Sequence, residues 1–377
     1  MTVQKSRIVV FGAYDVRKPR VRLLVDAIRR AGALQDDILV RAWEFVPQTS
    51  VPSRMSLAKV LFRMALRYPG ALLRLIQSGR GGAVLLPYPG ILEIILIAPI
   101  ARLLGRRLIL DAFLPIHDTI VGDRGLIGEG VVSRLIWWFE KAALSLADII
   151  IVDTDSHGEY FSDEFGIDPG RFMTVLVGAE PLFTTDRKLL PVDDILENDE
   201  RPIVLFYGQL IPLHGVPTII RAAREYEGPD ARWIIIGRGQ LEPLVEQALA
   251  DGGEALARQL TWIKWVDYEK LPSVIAKARI CLGVFGASEK AARVIPNKLF
   301  QQAAMGKPVI TRASPAVDLL ARDFPEMVKT VPEDNPKALA RAVAEMLSNI
   351  EVTPAFVSGL TPDAGVVTLL ERLSAGD

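Results

Sequence analysis

A single cysteine, no long uncharged apolar run and almost no net charge remove several function classes at once. Cys281 alone cannot make a disulfide framework, which fits a reducing cytoplasm. Set in RICLGVF, it reads as a buried strand thiol and not as a nucleophile. The most apolar segment, ILEIILIAPIARLLG from Ile91 to Gly105, is interrupted by Glu93, Pro99 and Arg102. Its uncharged part, Ile94 to Ala101, falls far short of the ~20 residues that a membrane span needs, so it reads as a helix covering a sheet. A formal charge of −1, from 44 basic and 45 acidic side chains, offers nucleic acid no bulk attraction. MTVQKSRIVVFG enters a strand without a cleavage pattern, so export is not expected. No G-x-G-x-x-G and no G-K-[ST] phosphate loop occurs at the glycine turns, which weighs against an NAD enzyme. No carboxylate cluster has metal-ligand spacing.

What is present is a rhythm. With 377 residues, half of them hydrophobic, the chain is long enough for about two domains, each with its own core. RIVVFG, DILVRAWE, GAVLLPYP, RLILDAF, ADIIIVD and RFMTVLVG are continuous apolar strands separated by helical stretches. One of these, PRVRLLVDAIRRAG, has Pro19 in its first turn and Gly32 as its stop. Strands buried on both faces build a parallel sheet between two helix layers. The acidic stretch DRKLLPVDDILENDER, 186–201, breaks the rhythm and reads as a connector. PIVLFYG, ARWIIIG, LTWIKW, ARICLGVF, KPVIT and EMVKTV then restart it. The expected architecture is α/β: a doubly wound domain over 1–185, a linker over 186–201 and a second such domain over 202–350. Residues 351–377 form a tail that either crosses back to the first domain or frays. Two such domains leave a cleft between the carboxyl ends of their strands, where sheets of this kind bind ligands.

Chemistry concentrates in RVIPNKLFQQAAMGKPVI, 293–310. Pro296 holds Val294 and Ile295 extended, Asn297 is placed to cap the following helix, and Arg293 and Lys298 bring two cations to that helix start. Dipole, free amides and cations together make an anion seat; ordinary surface charges on a loop are the alternative. Glycine turns at Gly12, Gly208 and Gly237 suit a diphosphate held by backbone amides, although tight turns alone also ask for glycine.

In order, YGQLIPLHG, IIIGRGQLE, WIKWVDYEKLPSVIAKARICL and PNKLFQQAAMGKPVI resemble the donor-binding domain of the family 4 retaining glycosyltransferases, enzymes of the GT-B fold with two Rossmann-like domains. The resemblance covers roughly 200–315 well and the first half loosely, where LDAFLPIHDT matches a segment that often carries a His-Asp pair and VLVGAEPLF the segment closing the first domain. It implies a nucleotide-diphosphate sugar as donor, no cofactor, and transfer to a hydroxyl with the anomeric configuration kept. The chain departs from the family at four places. Gln209 and His214 stand where the phosphate turn has Arg and Lys, and Arg293 and Gln301 stand where the family has two Glu eight apart. Arg293, Lys298 and Arg238, with His214 when protonated, are then the cations expected to meet the diphosphate, and Gln301 can still bond ribose hydroxyls. Val266, beside Trp265, is placed near the base. His117 and Asp118 are the residues expected to act on the acceptor side, with Lys298 completing the catalytic set. Asp111 and Asp123 read as turn formers, Glu289 as solvent-facing and Trp137–Phe139 as core.

One further segment, Arg54 to Arg80, has six basic residues and no acidic one, mixed with Met, Leu, Phe and Tyr. Such a helix lies on anionic lipid, with Lys59, Arg63, Arg67 and Arg74 as its contacts, or else packs on its own sheet with solvated arginines. The sequence therefore points to a cytoplasmic glycosyltransferase, peripheral at the inner face of the membrane, that extends a glycan or lipid-linked acceptor in cell-surface polysaccharide synthesis. A nucleotide-sugar epimerase, a catalytically silent relative and a non-catalytic two-domain sugar-binding protein are the alternatives.

Overall fold

The computed structural model describes residues 7–44, 46, 54–123, 128, 130–196, 199–349 and 360–375. The chain forms two compact units, Met1–Val177 with Thr361–Asp377, and Gly178–Leu360.

The first unit runs β1 (Ile8–Gly12), α1 (Pro19–Arg30), β2 (Leu34–Leu39), α2 (Arg54–Gln77), β3 (Ala83–Leu86), α3 (Ile91–Leu103), β4 (Arg107–Asp111), α4 (Val131–Leu146), β5 (Ile149–Val152), α5 (Asp155–Phe165) and β6 (Phe172–Thr174). Its parallel sheet has the order β2-β1-β3-β4-β5-β6. The central strands are apolar along their length because both faces are covered, with Val9, Phe11, Val84 and Leu86 in one core and Ile8, Val10, Ala83 and Leu85 in the other. β2 starts three residues before the expected DILVRAWE and ends at Leu39, and within RFMTVLVG the strand is Phe172–Thr174.

The second unit runs α6 (Asp193–Leu196), β7 (Ile203–Tyr207), α7 (Val216–Arg224), β8 (Arg232–Ile236), α8 (Glu242–Gln259, broken at Gly253), β9 (Leu260–Ile263), α9 (Leu271–Lys277), β10 (Ala278–Leu282), α10 (Glu289–Arg293), α11 (Asn297–Ala304), β11 (Val309–Arg312), α12 (Pro315–Asp323), β12 (Val328–Val331) and α13 (Pro336–Asn349). Its parallel sheet has the order β12-β11-β10-β7-β8-β9. α14 (Pro362–Ser374) returns to the first unit, where Val366, Leu369 and Leu373 join the core of α1 and Asp363 pairs with Arg30 at 2.8 Å.

The division falls at 177/178, ahead of the expected 185/186, and 186–201 is no free linker. Val192 and Leu196, four apart on one helical face, are buried. Leu190 N donates to Ser273 Oγ at 2.8 Å, and Lys270 pairs with Asp194 at 2.9 Å. The acidic composition that imitates a linker serves here to pair with cations of the second unit.

In both sheets the strand order reverses beside the first strand, between β1 and β3 in one and between β7 and β10 in the other. Such reversals leave a crevice at the carboxyl ends of the strands. Among the described residues no helix is long and apolar enough to cross a membrane.

Candidate active site

In the second unit β7 and β8 end in the same way. Tyr207 is in register with Ile236, and each is followed by a glycine at φ 143°. Gly208 N donates to Ile236 O and Leu210 N to Arg238 O, both at 2.9 Å. A Cβ built on Gly237 would stand 1.8 Å from Gly208 O, so the two turns interlock only as glycine. The loop after β10 is tied to the same place: Phe285 N donates to His214 O at 3.1 Å and Gly286 N to Leu213 O at 3.2 Å. Loops from three strands thus converge at the reversal point.

Into this corner α11 sends Lys298. Its side chain is buried, Nζ lies 4.0 Å from the centre of the Phe206 ring, and a Cβ on Gly208 would be 3.0 Å from it. Nζ has no hydrogen-bond partner, and burial drives its pKa well below the ordinary lysine value. An ammonium without a counter-ion in such a place is costly, and an anion beside Gly208 would relieve that cost. His214 is half-buried, and its Nδ1–H donates to Gln209 O at 2.5 Å. Burial, with a smaller contribution from Lys298, pushes its pKa down to about 3, so the ring is neutral near pH 7 and adds no positive charge of the kind the sequence suggested.

Asn297 does not cap α11: the residue before the helix is Pro296, in an extended conformation, and no side chain bonds the first-turn amides. Arg293 is half-buried at the end of α10, Gln209 and Arg238 are exposed on their turns, and Val266 is half-buried after β9. Glu289 is exposed.

Gln301, one turn along α11 from Lys298, is buried in a network that the sequence did not reveal. Tyr207 Oη donates to Gln301 Oε1 at 3.0 Å. Gln301 Nε2 donates to Glu180 Oε2 at 3.1 Å and to Tyr268 Oη at 3.2 Å, and Tyr268 Oη donates to Glu180 Oε1 at 2.6 Å. A carboxylate therefore does stand beside position 301, supplied by Glu180 from the start of the unit. Its only sequence signal is an isolated acid in the apolar stretch VLVGAEPLF.

The first unit holds His117 and Asp118, so the three residues assigned to catalysis divide between the units. His117 N donates to Glu140 Oε2 at 2.8 Å and Ile116 N to Glu140 Oε1 at 2.7 Å, while the His117 ring meets Ser133 Oγ through Nε2 at 2.9 Å. Asp118 opens a wide helical turn, Asp118–Asp123; the side chain of Asp123 is outside the described residues. Asp111 is no turn former but a buried partner of Arg20, Nη2 to Oδ1 at 2.8 Å. Gly12 lies in this unit as well, and the adjacent Ala13 N donates to Glu93 Oε1 at 3.1 Å. The carboxylate of Glu93 thus occupies the seat expected for a donor phosphate at Gly12.

Of the basic residues on α2, Lys59 is exposed and Arg63 half-buried, Arg67 Nη1 donates to Arg41 O at 2.9 Å, and Arg74 pairs with Asp36 at 2.5 Å. The guanidinium of Arg74 is thus already paired with a carboxylate of the same unit, while its side chain stays 56% exposed. Trp138 and Phe139 are 61% and 40% exposed and so are not core; Trp137 is half-buried and stacks on Phe165.

Two family models match the chain, "Glycosyl transferase 4-like domain" over residues 12–178 and "Glycosyl transferases group 1" over residues 201–349. The chain belongs to the group 1, or family 4, glycosyltransferases. The alpha-D-kanosaminyltransferase of Streptomyces kanamyceticus is similar to it, 22% identical over 76% of this chain and 70% of that one. Sucrose-phosphate synthase of Thermosynechococcus elongatus aligns with a TM-score of 0.65 at 17% identity, over 99% of this chain and 97% of the other. HepE of Anabaena in complex with UDP aligns at 0.64 and 12%, over 98% and 99%, and its UDP-glucose complex at 0.60 and 13%, with the same coverage. The glycosyltransferase therefore has the GT-B fold, two Rossmann-like domains.

Proposed function

We propose that this glycosyltransferase takes a nucleotide-diphosphate sugar as donor and transfers the sugar, with its anomeric configuration kept, to a glycan or lipid-linked acceptor at the inner face of the cytoplasmic membrane, as a step in cell-surface polysaccharide synthesis. The observation that carries the donor half of this reading is Lys298, whose buried and unpartnered Nζ lies beside the Gly208 turn. A diphosphate leaving group gathers negative charge as the glycosidic bond breaks, and a cation held dry and close is worth most at that moment. Arg293 and the amides of the glycine turns add to it, and Gln301 with Glu180 offers polar groups to ribose hydroxyls. HepE, whose structures hold UDP and UDP-glucose, lends support to a nucleotide-sugar donor. Metal independence belongs to the same reading, since lysine and arginine would do the work of a divalent ion. His117 is the group proposed to meet the acceptor.

Melting curves with UDP, GDP, ADP, CDP and dTDP test the donor site. Saturation at a hundred times the dissociation constant stabilises the folded form by ~2.7 kcal/mol, a shift of several degrees. No shift with any of the five would overturn the reading. Labelled donor then separates transfer from epimerisation, the second reading, which Arg293 and Gln301 at the two family Glu positions keep alive. Activity lost in EDTA and restored by magnesium or manganese would remove metal independence.

A further inference from the structure

At the strand-order reversal of the first unit lies a cavity of about 640 Å³, lined by residues after β1, β2, β3 and β4 and by α2, α3 and α4. Of its sixteen lining residues fourteen are apolar, and the two others are Glu93 and Glu140. Both carboxyls are buried and already occupied from within: Glu93 Oε1 accepts from Ala13 N and Tyr68 Oη, and the two oxygens of Glu140 accept from Ile116 N and His117 N. Burial also lifts Glu140 to about pH 7, so its charge is partly quenched at neutral pH. A sugar ring or a nucleotide placed here would bury hydroxyls with few partners, at a cost that a specific site does not carry.

The mouth is as apolar as the interior. Leu61, Leu92, Val132, Leu135 and Phe139 line the cavity and are exposed at 40–62%, and on the same helices Phe62, Leu66, Leu96 and Trp138 are exposed as well. The helices that wall the cavity also carry basic side chains, Lys59, Arg63 and Arg67 on α2 and Arg134 on α4. An apolar chamber with an apolar mouth, walled by helices that carry cations, fits an amphiphile with an anionic head.

We infer that this cavity receives the hydrocarbon chain of an anionic lipid-linked acceptor. The inference rests on the proposed membrane-bound acceptor and adds the part of that acceptor which the first unit recognises. Affinity then depends on chain length, rising about fourfold per methylene until the cavity is full.

Titration of the full-length protein with a fluorescent polyene fatty acid, in detergent-free buffer, tests this. One saturable site per chain is expected, displaced by butyl, octyl, dodecyl and hexadecyl phosphate in rising order and not by glucose. Ile136→Trp, which fills the chamber, and Leu135→Gln, a milder change at the exposed mouth, should each weaken binding by about tenfold while the nucleotide melting shift stays. Unsaturable adsorption, affinity independent of chain length, or equal binding by both variants would overturn the inference. A retained UDP shift alongside such a result would leave the glycosyltransfer reading standing. Chain binding without any nucleotide shift would instead remove the donor reading and leave the cavity assignment.

Discussion

Glu180 Oε2 accepts a hydrogen bond from Gln301 Nε2 at 3.1 Å, joining residues 121 positions apart. Tyr268 closes the triangle, 2.6 Å from the other Glu180 oxygen and 3.2 Å from the amide. One carboxylate and one amide are thus held where the family pattern would put a glutamate at 301.

If the pair acts as a unit, Gln301→Glu sets two carboxylates about 3 Å apart, and one must stay protonated. Gln301→Glu and Glu180→Gln should each cost about 1–3 kcal/mol of stability and lower donor affinity. The double swap, which restores one acid and one amide, should recover most of both. Denaturant melts and UDP titrations of the cycle check this, and additive losses in the double variant would mean that the two residues act separately.

Lys298 carries a pH signature. Its folded-state pKa is lowered, so between that value and the ordinary lysine range near 10.5 the unfolded chain binds the extra proton. Stability of the free protein therefore rises with pH across that window and is lost as pH falls. Lys298→Met should flatten the slope and stabilise the free protein, yet cut turnover by about 10²–10³. Nucleotide-diphosphate binding near pH 8 should draw a proton onto Lys298, visible as a dependence of calorimetric heat on the buffer's ionisation enthalpy. Heats independent of buffer, or unchanged turnover in Lys298→Met, would make the lysine a packing residue.

Lys298 was legible because Pro296 marks a helix start and the local text carries the cations. The sheets were legible because strands covered on both faces are written as unbroken apolar runs. Glu180 was not, since its place beside Gln301 depends on a chain reversal that no local spacing encodes. The same holds for Asp36, which pairs with Arg74, and for Glu93, which fills the turn at Gly12. Trp138 was misread because a hydrophobic triplet on a helix does not say which of its faces is covered.

The interlocked turns give a stability test. A Cβ on Gly237 would meet Gly208 O at 1.8 Å, in a backbone conformation that L residues rarely adopt. Gly237→Ala should cost at least about 1–3 kcal/mol and abolish the nucleotide shift. Gly70→Ala is the matched control, since it lies inside α2 with nothing within 4 Å of a new Cβ, and it should be neutral or stabilise by up to about 1 kcal/mol. Equal behaviour of the two variants in thermal melts would show that the turns have room to relax.

The outer face of α2 decides whether the first unit docks on membrane. Val60, Tyr68, Ala71 and Leu75 face the core, while Met55, Phe62, Leu66 and Leu73, spaced seven, four and seven apart, form an exposed stripe on the opposite side. Lys59, Arg63 and Arg67 run along one flank of that stripe, which gives an apolar wedge with a cationic border. Each cation near an anionic surface adds ~1 kcal/mol, an attraction that fades as salt shortens the Debye length below ~10 Å. Sedimentation with anionic vesicles should therefore fall with salt and be poor with neutral vesicles. Lys59→Gln with Arg67→Gln should weaken it markedly, and so should Phe62→Ser with Leu66→Ser. Arg74→Gln should matter less, because Asp36 already holds that guanidinium at 2.5 Å. If Arg74→Gln weakens binding as much as Lys59→Gln with Arg67→Gln, the intramolecular pair opens at the surface and the charge count of the sequence, not the geometry of the fold, governs docking. If none of the three changes sedimentation, α2 is a solvated helix and the membrane reading fails.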